Sequence, residues 1–280
     1  MIIYCPAKLN LCLQVYPKKK NGFHNIQSIF QAIDLYDHLE IKHQEQPQLR
    51  ITCNHPNIPT NEHNILAKVY ESYSLKIGLH VHIHKEIPSG GGLGGASSNA
   101  AGLIAYIHHL RQEPICPQRS AKLGSDIPFF FQGGSAYISG QGEKISPCPR
   151  PKKNWFLLIF PNLECLTGPV YQQFDTQGFS HYQPYQSAQQ LKRNPLGPNH
   201  LFQAACRQYP ELLEHYQAIQ NPCPNPVQLT GSGATLFSAF YKKKAALNAQ
   251  QQLLKSNPSL QTRIVQGISH GIKPLIFDTL

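Results

Sequence analysis

Five glycines lie close together in the stretch IPSGGGLGGASSNAA, which covers residues 87–101. Glycine has no Cβ, so such a loop can adopt positive φ angles and bring its backbone N–H groups close to a ligand. The apolar residues that follow recur at helical spacing and predict a helix that begins where the glycines end, with Ser97 or Ser98 as its cap. Because a helix N-terminus presents unpaired N–H groups and a positive dipole end, the stretch predicts a phosphate-binding site.

Two familiar nucleotide-binding patterns do not fit this loop. A Walker loop has Lys followed by Ser or Thr after its last glycine, whereas Gly95 is followed by Ala96. A dinucleotide fingerprint needs an acidic residue about twenty positions later, and residues 119–122 contain none. Alternating apolar residues over 79–87 predict a strand that leads into the loop. Strand, glycine loop and helix together favour a nucleotide site of another kind over a turn without function.

Two ionisable side chains are candidates for chemistry beside such a site. Residues 1–16 are strand-like, and alternation places Lys8, Asn10 and Cys12 on one face, opposite three leucines. That face could be directed to a ligand or to solvent. Asp126 precedes an apolar run, which fits either a turn residue or a carboxylate held by rigid packing. Spacing alone does not choose between these alternatives.

The composition indicates a globular chain with two domains. Its 280 residues are 41% hydrophobic and 14% charged, and they contain no apolar run near the roughly 18 residues of a membrane span. The first residues do not resemble a signal peptide, and the eight cysteines lack the spacing of zinc or disulfide sites. These features predict a cytoplasmic protein with reduced thiols.

A segment rich in Pro and Lys, residues 147–154, is the best candidate for a linker. It divides the chain into predicted domains at 1–150 and 151–280. Helices are predicted over 61–75 in the first domain and over 199–216 in the second.

The formal net charge of +10 raises the question of nucleic-acid binding. The basic runs are short and lie in predicted turns or at a helix start, without interleaved aromatic residues. A basic field instead suits a protein with polyanionic small ligands. We therefore expect no nucleic-acid partner, no membrane partner and no obligate protein partner.

His80, His82 and His84 would share one strand face, but no acidic or Cys partner stands nearby, which favours a polar strand surface over a metal site.

The glycine stretch resembles the phosphate loop of the GHMP kinases, the superfamily of galactokinase, homoserine, mevalonate and phosphomevalonate kinases. Nearly the whole chain is similar to one branch, whose members phosphorylate a cytidine diphosphate derivative of methylerythritol. The matching motifs occur in the same order as in that branch: PAKLNL at 6–11, GFH at 22–24, FQ and LYD within 30–37, LGSDIP at 123–128 and TGSGA at 230–234.

The resemblance implies an α+β fold with two domains, an N-terminal domain like the second domain of ribosomal protein S5 and a ferredoxin-like C-terminal domain. It implies a kinase that uses ATP and Mg²⁺ to phosphorylate the 2-hydroxyl of the methylerythritol unit, in the non-mevalonate route to isoprenoid precursors. Another kinase of the superfamily, acting on homoserine, a sugar or mevalonate, is the nearer alternative, and the GFH signature argues against it. A nucleic-acid-binding module with the S5-like fold is the more distant one.

Roles for individual residues are implied by the same resemblance. Asp126 is expected to be the catalytic base and Lys8 its cationic neighbour. The substrate is expected to contact Asn10, His24 and Thr167, with its cytosine enclosed by Phe23 and Tyr171. The ATP site is expected to comprise Pro88, Ser89, Gly90, Gly91, Gly92, Leu93, Gly94, Gly95, Ala96, Ser97 and Ser98, with Asn64, Ile65 and Lys85 around the adenine.

Two positions depart from the pattern of that branch. Phe23 replaces the usual Tyr, which keeps the ring for stacking but loses the hydroxyl. Asn99 stands where some relatives have Asp, and the helix after the loop offers no clear carboxylate for Mg²⁺. The protein ligands of the metal are therefore left unassigned.

Overall fold

The computed structural model describes residues 1–20, 22–176 and 187–275. In chain order its elements are β1 (Ile2–Lys18), β2 (His24–Gln44), β3 (Leu49–Cys53), α1 (Ile65–Ser72), β4 (Gly78–His84), α2 (Gly95–Arg111), α3 (Pro117–Ala121), α4 (Ile127–Gln132), β5 (Ser135–Gly140), β6 (Lys144–Pro147), β7 (Trp155–Phe160), α5 (Thr167–Asp175), α6 (Ala188–Arg193), α7 (Phe202–Gln208), α8 (Pro210–Gln220), β8 (Val227–Leu229), β9 (Leu236–Phe240), α9 (Lys243–Ser256), β10 (Gln261–Gln266) and β11 (Lys273–Leu275).

These strands form two sheets. The first has the order β11-β1-β2-β4-β3, with β5 paired to β2 and β6 to β5. Its pairs are antiparallel except β3 with β4, which is parallel. The second sheet is antiparallel in the order β10-β7-β9-β8. The change of sheet falls between Pro147 and Trp155, within the predicted linker, but β11 returns from the second half of the chain to the first sheet.

Strand β1 is buried on both faces, and every residue from Cys5 to Val15 is inaccessible or nearly so. On one face, Leu9 and Leu11 pack against the second sheet in a cluster that includes Phe156. The opposite side of the first sheet is covered by α2, which contacts both β1 and β2. Polar side chains on β1 are therefore held inside the molecule, where their partners and surroundings decide their chemistry.

The alternation predicted along β1 is wrong at Cys12. A β-bulge shifts the register between Asn10 and Cys12, so Cys12 joins Leu9 and Leu11 in the cluster between the sheets, and Leu13 moves to the helix-covered side. An extra residue in one strand exchanges the faces of all residues beyond it. Lys8 and Asn10 precede the bulge and share a face, as predicted. The hydrogen bond between their side chains shows this.

Two predicted helices are shorter than expected. The helix predicted over 61–75 begins only after Asn64, whose side chain caps it by accepting a hydrogen bond from Leu66 N. The helix predicted over 199–216 is divided into α7 and α8, with Pro210 as the first residue of α8. Proline lacks an N–H and disfavours a helical residue before it, and Tyr209 has the extended φ of −133°.

The last described segment braces α4. Ile272 N donates to Phe130 O at 2.9 Å, and β11 then pairs with β1. A Cβ placed on Gly133 would lie 2.2 Å from Gly271 N, so the two backbones touch at this crossing. No helix in the described part of the chain combines the length and the apolar character that crossing a membrane requires.

Candidate active site

A cleft of about 830 Å³ collects the glycine loop, the polar side of β1, the turn before α4 and the first turns of α5. Every predicted site residue except Ser98 lines it. The cleft therefore joins residues that are more than one hundred positions apart in sequence, such as Lys8 and Asp126.

The glycine loop has the local structure that its sequence predicts, but the helix after it starts earlier. Gly90, Gly92 and Gly94 have φ angles of +62°, +71° and +74°. Gly94 is itself the N-cap of α2, and no side chain caps the helix, so the expectation that Ser97 or Ser98 does so is wrong. Ser98 N donates to Gly94 O within the first turn, and Ser98 Oγ is buried without a hydrogen-bond partner among the described residues.

Close packing explains why larger residues are excluded from this loop. A Cβ on Gly92 would lie 2.1 Å from Thr230 O. One on Gly94 would lie 2.8 Å from Phe130 Cζ and 3.1 Å from Lys8 Cγ. The loop thus packs directly against Lys8 of β1 and Phe130 of α4, and its N–H groups and the start of α2 form a site suited to an anion.

Lys8 and Asp126 face each other inside the cleft. Lys8 Nζ is 3.5 Å from Asp126 Oδ2, and the two side chains are 5% and 25% exposed. Lys8 also donates to Asn10 Oδ1 and lies 4.6 Å from the centroid of the Phe30 ring. Burial lowers the pKa of Lys8, and the Asp126 carboxylate opposes that effect. The result is an ammonium held rigidly beside a carboxylate that still reaches the open cleft.

Asn10 and Thr230 connect β1 to the glycine motif of the second half. Asn10 N donates to Thr230 Oγ1 at 2.9 Å, while Asn10 Nδ2 donates to Ser28 Oγ at 3.0 Å. Thr230 Oγ1 in turn donates to Gly92 O at 3.4 Å. The sequence marks Thr230 only as part of a motif, and the contacts it makes to β1 and to the loop are visible only in the structure.

The far end of the cleft is aromatic. The His24 and Tyr171 rings lie 5.2 Å apart at an angle of 40°, and Phe23, beside them, is 60% exposed. Burial, with a smaller contribution from the Asp126 charge, raises the pKa of the Tyr171 phenol. Asp175, which sequence reasoning did not single out, lies 3.1 Å from His24 Nε2 and 3.0 Å from Lys18 Nζ.

Thr167 occupies the start of α5, where its hydroxyl is 3.0 Å from Ser232 Oγ. Asn64 and Ile65 line the cleft at the start of α1. Lys85 also lines it, but its ammonium lies 2.9 Å from Asp37 Oδ2 and its side chain is only 8% exposed. The cleft thus brings together the predicted substrate residues, the glycine loop and the predicted adenine residues.

Two side-chain oxygens in the cleft are suited to Mg²⁺. Within the described residues, no three His, Cys, Asp or Glu side chains are grouped as metal ligands, and this includes the strand histidines. Mg²⁺ beside a nucleotide needs few protein oxygens, because phosphates and waters complete its shell. Ser97 lines the cleft in the first turn of α2, and Asn99 Oδ1 is buried there without a hydrogen-bond partner among those residues. These two oxygens fit a metal that is held mainly by its nucleotide.

Comparison with known proteins adds three findings. The profile of the GHMP kinase N-terminal domain matches residues 63–136. The 4-diphosphocytidyl-2-C-methyl-D-erythritol kinase of Pasteurella multocida (strain Pm70) is 33% identical over 260 residues, covering 90% of this chain and 85% of the relative. The one of Sulfurihydrogenibium sp. (strain YO3AOP1) is 34% identical, covering 88% and 95%.

Solved structures show the same fold. A 4-(cytidine 5'-diphospho)-2C-methyl-D-erythritol kinase superposes with a TM-score of 0.73 at 24% identity, covering 96% of this chain and 100% of that chain. A homoserine kinase from Cytophaga hutchinsonii gives a TM-score of 0.66 at 14% identity, covering 98% and 96%. The expected class, a two-domain α+β fold of the GHMP kinase type, is confirmed.

Proposed function

Because the chain belongs to the 4-diphosphocytidyl-2-C-methyl-D-erythritol kinases, a family of the GHMP kinases, we propose how its cleft transfers the γ-phosphoryl group of ATP. The chain is an ATP-dependent kinase of isoprenoid precursor biosynthesis by the non-mevalonate route, and its acceptor is the 2-hydroxyl of the methylerythritol unit. One observation supports our mechanism above the others: Lys8 and Asp126 lie 3.5 Å apart in the cleft that also contains the glycine loop.

Asp126 is the base in this mechanism. A tertiary alcohol is a weak nucleophile, and phosphoryl transfer depends mainly on positioning and on the stabilisation of charge. The Asp126 carboxylate is partly exposed to the cleft and takes the proton of the 2-hydroxyl as the phosphoryl group is transferred. The packing of α4 beneath it, with Phe129 and Phe130 fully buried, fixes its position.

Lys8 stabilises the charge that develops during the transfer. Its ammonium lies beside Asp126 and within contact of the loop, since Lys8 Cγ would lie 3.1 Å from a Cβ on Gly94. In a site closed to water, a positioned cation stabilises phosphoryl oxygens more than it would in solution. Asn10 is linked to the loop through Thr230, which hydrogen bonds to both Asn10 N and Gly92 O, so Asn10 contributes both to substrate contact and to positioning.

The remaining loop residues bind the ATP phosphates through the N–H groups that precede α2. We assign the protein side of the Mg²⁺ site to Ser97 and Asn99, and the metal would neutralise phosphate charge there. We propose that Asn64 and Ile65, at the start of α1, and Lys85 lie around the adenine. Ser98 lies outside the lining of the cleft, so we propose that it supports α2 and does not contact ATP directly.

We also propose that the two halves of the chain have different roles. Residues 1–150 would carry the ATP site and residues 151–280 would complete the acceptor end through Thr167 and Tyr171. We further propose that the enzyme acts in the cytoplasm, where ATP, its co-substrate, is supplied.

Tyr171→Ala is expected to weaken use of the cytidine substrate while leaving ATP binding unchanged. Stacking of a base on an aromatic ring contributes about 1–3 kcal/mol, so kcat/KM for the cytidine compound should fall by roughly 5- to 150-fold. Steady-state kinetics in both substrates measures this. Phe23→Tyr, which retains the ring, should be nearly silent. Wild-type kcat/KM in the Tyr171→Ala enzyme would remove Tyr171 from the acceptor site.

A panel of acceptors tests the proposed function as a whole. ATP turnover is measured with the cytidine diphosphate substrate, homoserine, galactose and mevalonate at equal concentrations. We expect turnover with the first and none above background with the other three. Faster turnover with any of the three would reassign the acceptor, although the nucleotide half of the cleft would keep its role.

A further inference from the structure

Asp37 is a fully buried carboxylate on β2 that none of the roles above uses. Its Oδ1 accepts hydrogen bonds from Glu86 N at 2.9 Å and from Ile87 N at 2.8 Å. Its Oδ2 accepts from Lys85 Nζ at 2.9 Å, and the same ammonium donates to Ile87 O. These side-chain hydrogen bonds all fall on residues 85–87, the short segment between the end of β4 and the glycine loop.

This segment has left the sheet, so its backbone N–H groups need new partners. Buried N–H groups without partners are costly, and Asp37 supplies acceptors for two consecutive ones. Asp37 also lies close to α2, the helix that follows the loop. A Cβ on Gly95 would lie 3.0 Å from Lys85 Nζ and 3.3 Å from Asp37 Oδ2. The ion pair therefore underlies both ends of the glycine loop, its entry at Ile87 and its exit at Gly95.

From these contacts we propose that Asp37 and Lys85 are positioning residues that fix the glycine loop for the nucleotide phosphates. The proposal rests on the ATP-binding role given to that loop. In this role Lys85 acts through its ammonium, which is engaged by Asp37 and Ile87, and not through any contact with the adenine. Burying two charges is costly even when they are paired, and an apolar pair is often as stable. The specific hydrogen bonds to residues 85–87 give the pair a function that an apolar pair would lack.

Asp37→Asn is the direct test. The variant keeps the size of the side chain but loses the charge that holds Lys85, so the loop should shift. Misplacement of a binding group by about 1 Å can cost roughly 10²-fold. We expect the dissociation constant of ATP, measured by calorimetry without acceptor, to rise by about 10- to 100-fold. KM for the cytidine substrate should stay within about twofold of wild type, which a general loss of structure would not allow.

Glu40→Gln is the matched control. Glu40 lies on the same strand and pairs with Lys42 and His84, but its side chain is 34% exposed and those of its partners are 65% and 48% exposed. This variant should bind ATP as wild type does, because exposed pairs contribute little. Unchanged ATP affinity in folded Asp37→Asn, or an equal loss for both substrates, would overturn the proposal.

A second variant covers the case in which Asp37→Asn does not fold. The double variant Asp37→Asn/Lys85→Met removes both charges and leaves neither one buried alone, so it should fold. It lacks the Lys85 contact to Ile87 and should still bind ATP weakly. Wild-type affinity in the double variant, or failure of this protein to fold as well, would overturn the proposal. Because ATP binding is measured without acceptor, a wrong acceptor assignment would leave these results unaffected.

Discussion

Replacement of Asp126 by Asn is expected to slow the phosphoryl-transfer step by about 10²- to 10⁴-fold, the range that general-base catalysis supplies. The amide cannot take the proton of the 2-hydroxyl, yet it occupies nearly the same volume at the start of α4. Single-turnover kinetics isolates the chemical step, and calorimetry checks that ATP still binds. Near-normal turnover by this variant would remove Asp126 from the role of base.

A double variant tests whether Lys8 and Asp126 act together. The two groups are 3.5 Å apart, and removal of the carboxylate would also remove the interaction that opposes the burial-induced lowering of the Lys8 pKa. Effects of residues that act as a unit are strongly non-additive. We therefore expect Lys8→Met/Asp126→Asn to be about as slow as the slower single variant. Multiplicative losses would show that the two residues act independently.

Gly94→Val is expected to abolish measurable ATP binding. Gly94 has a φ of +74°, which a β-branched residue adopts only with strain. The new Cβ would lie 2.8 Å from Phe130 Cζ and 3.1 Å from Lys8 Cγ, so the loop would have to move away from both. Because we assign the phosphate site to the loop N–H groups, their displacement should remove the heat of ATP binding in calorimetry.

Gly134→Val separates this effect from backbone strain. Gly134 has a similar φ of +69°, and its nearest neighbour for a Cβ is Ser269 O at 3.3 Å, outside the cleft. This variant should lose stability in thermal unfolding but retain ATP binding while folded. If Gly94→Val remains folded and binds ATP normally, the anion site lies elsewhere.

Local patterns in the sequence predicted the elements that hold the site. The alternating run over 79–87 overlaps the strand β4, Gly78–His84, and the glycine run ends in a helix as expected. The predicted start of α2 was wrong because the N-cap is Gly94, in a left-handed conformation, and not Ser97 or Ser98. At Cys12, a bulge that leaves no mark in the alternation of residue types exchanged the two faces of β1.

Contacts between distant parts of the chain could not be predicted in this way. In the sequence, Asp37 is one residue of a motif on a strand, and nothing there indicates a contact with residues 85–87. Only the fold brings it under that segment, nearly fifty positions away. Thr230 meets Asn10 across 220 positions. Family resemblance supplied the pairing of Lys8 with Asp126, whereas the burial of Lys8 beside the Phe30 ring of β2 is found only in three dimensions.

The return of β11 to the first sheet fixes the order in which the enzyme can be completed during its synthesis. The free edge of β1 and the carbonyl of Phe130 gain their partners only when residues 272–275 have been made, after the whole second sheet. Ribosomes add roughly 5–20 residues per second, so this delay after residue 150 lasts roughly 6–25 seconds. During that interval the nascent chain already contains the glycine loop and Asp126, but it lacks the strand that braces them, and its open sheet edge is exposed to other chains.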